Sequence, residues 1–334
     1  MAGRGTNLAL LALLGVALAT GGLAFALGTA LVRVPVVAHG AAGLGVLLLV
    51  PWKWAIVRRG LRRRPGSWVS LAFTLVLAVC VAAGVGHSTG LLRSVGGVTA
   101  MQLHVGAALA SVPLGLWHVA ARRVRPRRTD LSRRALLRAG LLAAGSLVAY
   151  GALAGLVRVA RLPGRARRFT GSFEVGSYRP RAMPVVQWLD DPVPAVDPAA
   201  WELRVVVPGA GVRRLSLGEL EARREPVLAT LDCTGGWFAR QRWEGVRLSS
   251  LLGSASGRSV TVRSVTGYWR RFPLADADRL WLAIRVGGEP LSAGHGFPAR
   301  LVAPGRRGYW WVKWVREVEV SEVPWWWQPP YPLS

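Results

Sequence analysis

The residues best suited to chemistry fall into two groups, one in each half of the chain. In the second half a single thiol, Cys233, ends an apolar run and precedes two glycines in Thr230-Leu231-Asp232-Cys233-Thr234-Gly235-Gly236-Trp237. A lone cysteine is either put to chemical use or is a small buried apolar side chain. Composition leaves both open. Two further segments gather polar groups: Thr266-Gly267-Tyr268 with Pro273-Leu274, and Gly294-His295-Gly296-Phe297-Pro298-Ala299-Arg300 followed by Val312-Lys313-Trp314. The chain has 43 basic residues and Lys313 is one of only two lysines, so a general arginine preference does not account for it.

Four of the five histidines lie in the first half, in or beside long apolar runs. His39 and His104 each sit about 8–9 Å from the same-side ends of two such runs, at 1.5 Å per helical residue. Two neutral imidazoles at equal depth on different helices can ligate one b-type haem. His87, at the mouth of a third run, is an alternative to His39. His118 follows His104 by about four helical turns on nearly the same face, a spacing similar to dihaem membrane cytochromes b. The equivalent partner position after His39 is Lys53, so a second haem lacks its obvious ligand. The competing reading of these histidines is hydrogen bonding between helices.

The elements that position the histidines are apolar stretches at Leu8–Val32, Val34–Pro51, Trp68–Val85, Val98–Ala121 and Ala135–Val157. A bilayer core of about 30 Å needs about 20 helical residues, so five membrane-spanning helices are expected. Residues 1–160 hold a single carboxylate, Asp130, against 18 Lys and Arg, whereas the remainder holds 25 basic and 16 acidic residues. A net charge of +26 suits nucleic acid, but arginines threaded between long apolar runs do not make a nucleic-acid surface. Basic residues at helix ends stay cytoplasmic. One set of ends carries Arg4, Lys53 to Arg64 and Arg122 to Arg138; the other carries only Arg33, Arg93 and Arg158. The amino terminus is therefore expected in the cytoplasm and everything after Arg158 outside it. Ser132-Arg133-Arg134-Ala135-Leu136-Leu137-Arg138 resembles a twin-arginine export signal, which moves folded domains.

Residues 161–183 read as a Gly- and Arg-rich linker. From 184 to 334 the texture changes to short β-type runs at Trp201–Val207, Val227–Leu231, Val260–Val265, Leu280–Arg285, Ala299–Ala303 and Trp311–Val320, with helical patterns at Leu217–Arg224 and Leu248–Leu252. Gly, Pro and charges punctuate them. The fold class expected is a five-helix membrane bundle followed by a mixed α+β domain.

The segments around Cys233, Tyr268 and His295–Val315 together resemble the sulfite oxidase family of molybdopterin-dependent oxidoreductases, over roughly Pro184 to Val320. The resemblance implies molybdenum held by a pterin dithiolene and the Cys233 thiolate, a soft donor suited to that metal. It implies a pterin site at His295, Arg300, Ser264, Trp311, Val312 and Lys313, with Gln187 and Trp188 at its amino-terminal edge. It implies that Tyr268, five residues before Pro273, orients substrate or moves a proton. Two features depart from sulfite oxidases. Trp237 and Phe238 stand where those enzymes carry paired arginines, with Arg240 and Arg242 as nearby substitutes, and the expectation is of a chain without their carboxy-terminal dimerisation domain.

These readings combine into a multi-pass protein of the bacterial cytoplasmic membrane with an extracytoplasmic molybdopterin enzyme. Its expected substrate is a small oxo-transfer molecule, and its expected electron partner is a quinone or another redox protein, reached through one b haem. The alternatives are the same catalytic domain on a passive anchor, and a metal-free envelope binding protein.

Overall fold

The computed structural model describes residues 3–61, 68–121, 127, 130, 132–188 and 191–332. Arg62–Arg64, Arg122, Arg123, Arg125 and Arg128, on which the charge argument draws, lie outside the described residues. The chain divides into two compact units, Met1–Phe173 and Glu174–Ser334, so residues 161–173 of the expected linker fold with the first and the rest with the second.

The first unit contains helices α1 (Arg4–Ala26), α2 (Arg33–Leu48), α3 (Val50–Leu61), α4 (Trp68–Thr89), α5 (Ala100–Ala121) and α6 (Arg133–Val159). Five apolar helical spans among these are long enough to cross a membrane. At most 28% of the most apolar window of any span is buried by protein. Such helices, apolar all round, require an apolar solvent. The first expected run is shorter than anticipated: α1 stops before Gly28, and Ala30–Val32 makes a 3-10 turn into α2. The second run does not end at Pro51; α3 begins there instead, with the proline in its first turn where no hydrogen bond is lost. α1 lies against α2, α2 against α6, and α4 against α5. Ser132 caps α6 by accepting from the Ala135 N–H, which puts Arg133 and Arg134 in its first turn. A two-residue hairpin, β1 (Ser94–Val95) and β2 (Val98–Thr99), joins α4 to α5.

After β3 (Phe173–Glu174), the second unit is a mixed α+β domain. One sheet contains β6 (Glu225–Asp232), β7 (Trp237–Arg247), β10 (Trp281–Val286), β11 (Glu289–Pro290) and β12 (Arg300–Val302), all antiparallel to their neighbours. The other is five-stranded, in the order β5 (Gly211–Ser216), β4 (Glu202–Val207), β13 (Val315–Ser321), β8 (Ser259–Ser264), β9 (Trp269–Pro273), with only the β13–β4 pair parallel. Two short helices, α7 (Leu217–Glu221) and α8 (Leu248–Leu252), separate strands. α7 starts on a capping box in which Ser216 and Glu219 satisfy each other's backbone donors.

The observed strands are placed by alternation. β7 buries Trp237, Ala239, Gln241 and Trp243 on one face and turns Arg240 and Arg242 to solvent. These two exposed arginines therefore do not replace the paired arginines near the cysteine. The expected strand at Trp311–Val320 begins only at Val315, because Trp314 takes a left-handed backbone (φ 50°) that breaks the ladder.

Candidate active site

Cys233 follows the last residue of β6 and opens the four-residue connection to β7. Its N–H donates to the Trp237 carbonyl at 2.8 Å, and the Gly236 N–H donates back to the Cys233 carbonyl at 3.2 Å. Gly236 closes this turn at φ 89°, a conformation glycine adopts without strain. The Gly235 N–H points at the sulfur, 3.4 Å away. Burial pushes the Cys233 thiol up, opposed by the Gly235 N–H and by the positive charges of Arg307 and Lys313.

Asp232 and Arg307 fix this cysteine from behind. Arg307 Nη1 donates to Asp232 Oδ1 at 2.5 Å, with both side chains almost fully buried, and Nη2 donates to the Cys233 carbonyl at 3.1 Å. The chain beyond Arg307 is thereby brought against the thiol. A Cβ on Gly308 would lie 3.1 Å from Cys233 Cα, so glycine lets the two backbones meet. Next in sequence, the Tyr309 carbonyl accepts a hydrogen bond from the Tyr268 hydroxyl. Tyr268 sits in the turn between β8 and β9, whose ends are tied by the Ser264 N–H to the Tyr268 carbonyl at 2.7 Å. Burial raises the Tyr268 hydroxyl well above its ordinary range, with Arg270 opposing.

A cluster of cations lies on the other side. Arg300, on β12, is 2% exposed, donates Nη1 to the His295 carbonyl at 3.0 Å and stands over the rings of Trp243 and Trp311. Its Nε is buried with no hydrogen-bond partner. Desolvation lowers its guanidinium to about 10, with only Cys233 acting in the opposite direction. Lys313 Nζ donates to the Val186 carbonyl, Gln187 Oε1 and the Gly294 carbonyl at 2.9, 2.8 and 2.6 Å. Burial and the charge of Arg300 bring its amine down to about 7. His295 Nε2 faces the Met183 carbonyl at 3.2 Å and Nδ1 faces Ser292 Oγ at 2.8 Å; a carbonyl only accepts, so Nε2 carries the proton. Burial, then the Arg300 and Lys313 charges, lowers this imidazole to about 4.

Buried cations held below their ordinary ranges, with a soft thiol among them, call for a bound anion and a soft metal. The phosphate and dithiolene of a molybdopterin fit that demand, and the orphaned Arg300 Nε and Gln187 Nε2 are donors left for it. Gln187 meets Lys313, while the Trp188 ring lies 5.6 Å from Tyr309 and its Nε1 donates to the Pro332 carbonyl. Trp311 and Val312 are buried beside β12, the Val312 carbonyl accepting from Leu301 N–H at 2.7 Å. The Ser264 hydroxyl is engaged locally by Thr266. Sequence reasoning missed Asp232, Arg307, Tyr309 and Arg270. Only Asp232, adjacent to the cysteine, carried a local signal.

In the first unit, His39 and His104 are brought together, their rings nearly perpendicular with centroids 5.6 Å apart. His39 Nδ1 bonds the Ala17 carbonyl at 2.8 Å and His104 Nδ1 the Cys80 carbonyl at 2.7 Å, leaving the two Nε2 atoms 3.3 Å apart. Glycines flank both rings: a Cβ on Gly21 would be 3.0 Å from His39, and one on Gly84 2.9 Å from His104. His87 is committed elsewhere, Nε2 to the Gly171 carbonyl and its ring edge-on to Phe173. His118 lies against Ser70 and Phe73.

Residues 190–326 match the family described as "Oxidoreductase molybdopterin binding domain". Over 177 residues the chain is 33% identical to sulfite oxidase of Gallus gallus, covering 41% of this chain and 39% of that protein. Over 167 residues it is 31% identical to the mitochondrial sulfite oxidase of Homo sapiens, covering 39% and 31%. It thus spans about two fifths or less of these sulfite oxidases. A subunit named for protein-methionine-sulfoxide reductase, YedZ1 of Azospira oryzae, is 27% identical over 139 residues, covering 40% of this chain and 53% of that one. The sulfane dehydrogenase SoxCD of Paracoccus pantotrophus aligns at 25% identity with a TM-score of 0.37, over 39% of this chain and 40% of that one. Residues 190–326 therefore form a molybdopterin-binding oxidoreductase domain of the kind found in the sulfite oxidases.

Proposed function

We propose that the protein is a membrane-anchored molybdopterin-dependent enzyme that moves an oxygen atom to or from a small substrate outside the cytoplasmic membrane. The observation that carries this reading is the Cys233 thiol, held by the Asp232–Arg307 pair and within the electrostatic reach of the buried cations Arg300 and Lys313. When bound, the cofactor supplies two-electron oxo transfer at the metal. Cys233 would ligate the molybdenum. Arg300, Lys313 and His295 would hold the pterin phosphate and orient its ring system, with Trp311, Val312 and Gln187 closing over it. Tyr268 donates to the Tyr309 carbonyl, two residues beyond Arg307, and is positioned to orient an incoming oxygen or hand on a proton.

The test is molybdenum analysis of the full chain purified in detergent, for the wild type and Cys233→Ser. Molybdenum near one per wild-type chain and near zero in the variant is expected. A wild type free of molybdenum, from a host that makes the cofactor, would overturn the reading.

The first unit supports an electron-transfer role over a passive anchor. Metal-bound histidines commonly donate their second ring nitrogen to a carbonyl, and both His39 and His104 do so. Their remaining nitrogens converge on one point. A b-type haem held there would supply one-electron transfer, with a quinone or another redox protein as partner. The basic helix ends support a cytoplasmic amino terminus and an extracytoplasmic enzyme. A reduced-minus-oxidised spectrum with a b-type band, lost in His104→Ala, is the expected result; no band in the wild type would leave the helices as an anchor.

A further inference from the structure

β9 is an edge strand of the five-stranded sheet, and the segment that follows β13 is bonded along it. Gln328 pairs with this edge as a strand residue would: its Nε2 donates to the Arg271 carbonyl at 2.8 Å, and its Oε1 accepts from the Arg271 N–H at 3.1 Å. Arg271 Nη1 donates to the Trp327 carbonyl at 2.7 Å. The Trp327 and Gln328 N–H groups close turns onto the Pro324 and Trp326 carbonyls. Ser259 Oγ donates to the Val323 carbonyl at 2.6 Å, and the Pro329 carbonyl accepts from Arg270 at 3.1 Å. The segment is thus fixed at both ends and in the middle.

What this fixed turn displays is apolar. Trp325, Trp326 and Trp327 are 37, 58 and 68% exposed, and Val323 beside them is exposed too. Trp326 and Trp327 meet edge-on, with ring centroids 6.0 Å apart. Other exposed large apolar side chains of the second unit, such as Tyr178, Val212 and Leu228, stand singly in sequence. Contiguous apolar surface on an ordered turn marks a contact site. Three indoles exposed to this degree offer on the order of 400 Å², whereas each side of a stable protein interface buries roughly 800 Å². The patch is too small to hold a second protein by itself.

A bilayer surface asks for less. Val159 ends α6, and even fully extended the chain from there to Glu174, where the second unit begins, reaches about 50 Å. A bilayer crossed by the apolar spans is therefore always within reach, and docking on it is an intramolecular event for which a few side chains suffice. Trp suits that contact, because its ring enters the headgroup boundary while its N–H stays hydrogen-bonded. The charges around the turn are matched. Arg306, over Trp325 at 5.9 Å, pairs with Asp276 at 2.9 Å, and Arg263 pairs with Glu317 and Glu319, each at 3.2 Å. The indoles, not a basic field, then carry the contact.

We propose that Trp325, Trp326 and Trp327 form a docking face that rests the second unit on the headgroup region of a phospholipid bilayer, the one the chain's own apolar helices cross. This rests on those helices spanning a membrane and is independent of the metal at Cys233.

The experiment reads the emission of the three residues by difference, in the full chain reconstituted into phosphatidylcholine nanodiscs, which leave both faces open to solvent. Wild type is compared with Trp325→Ser/Trp326→Ser/Trp327→Ser, so that the rest of the 16 tryptophans cancel. The quenchers are phosphatidylcholine brominated near the headgroup end of its chains, and aqueous iodide. Difference emission quenched severalfold more by the bromolipid than by iodide is expected, with molybdenum content and apparent Tm of the variant unchanged. Quenching by iodide as strong as that by the lipid puts the indoles in water, and quenching by neither buries them against protein; each overturns the proposal. If the triple variant loses molybdenum or stability, Trp327→Ser, at the most exposed position, takes its place under the same criteria. A chain that does not enter nanodiscs would sink the membrane-spanning reading and the proposal with it. Wild type without molybdenum would sink the Cys233 reading alone and leave the quenching comparison standing.

Discussion

The carboxylate of Asp232, the residue immediately before Cys233, meets the guanidinium of Arg307 at 2.5 Å. Both side chains are almost fully buried, and the same guanidinium also holds the Cys233 carbonyl. Arg307 therefore sets the position of Cys233 from 74 residues away in sequence.

Removing one partner leaves a charge buried and alone, which typically costs about 3–5 kcal/mol. Asp232→Asn and Arg307→Met are each expected to destabilise the domain by that order in denaturant unfolding. The double variant Asp232→Leu/Arg307→Met is expected to recover much of the stability but not the molybdenum content. Recovery of both would show that the pair does not position the cysteine.

Gly308→Ala tests the backbone approach. A methyl there meets Cys233 Cα at 3.1 Å, against backbone that cannot swing aside. Molybdenum content should fall severalfold while the secondary structure measured by circular dichroism is retained. Full loading of this variant would contradict the close approach.

Proton linkage gives a third prediction. The Lys313 amine is lowered from 10.5 to about 7 in the fold. Between those values the unfolded chain binds a proton that the folded domain does not, so the stability of cofactor-free protein rises with pH from about 7 to 10.5. His295, lowered from 6.5 to about 4, adds a second loss as pH falls through that lower window. Apparent Tm against pH for cofactor-free and loaded protein checks this, and the upper slope should flatten when a phosphate sits beside Lys313.

A fourth concerns the histidine pair. In Gly84→Val the added carbons fall on the His104 ring, where even a Cβ would stand at 2.9 Å. The b-type absorbance expected of the wild type should disappear and the molybdenum content should stay. Retention of the band would place the haem elsewhere.

Much of this was legible in the sequence, and the failures have physical causes. The five spans read directly, since a helix in lipid is apolar on every face and no partner is needed to recognise it. Cys233 and Lys313 stood out by rarity, one a lone thiol in its half and the other one of two lysines, whereas Tyr268, His295 and Arg300 were legible only through the resemblance of their motifs to the sulfite oxidase family. β7 was missed because its outward residues include Arg240, Arg242 and Glu244, which break up the apolar run while preserving the period-two burial. Arg307 and Arg270 were illegible for another reason. One is defined by a carboxylate far away in the chain, the other by having no hydrogen-bonded carboxylate among the described residues, and neither leaves a local pattern.

The triple grip of Lys313 on Val186, Gln187 and Gly294 ties two segments more than a hundred residues apart through one ammonium. Without an anion nearby, that junction is held by a cation whose burial works against it. A cell short of molybdenum would then hold a looser form of this domain, open more often to proteases. Metal supply would set how long the polypeptide survives, and the abundance of the protein would follow the nutrient before any substrate was met.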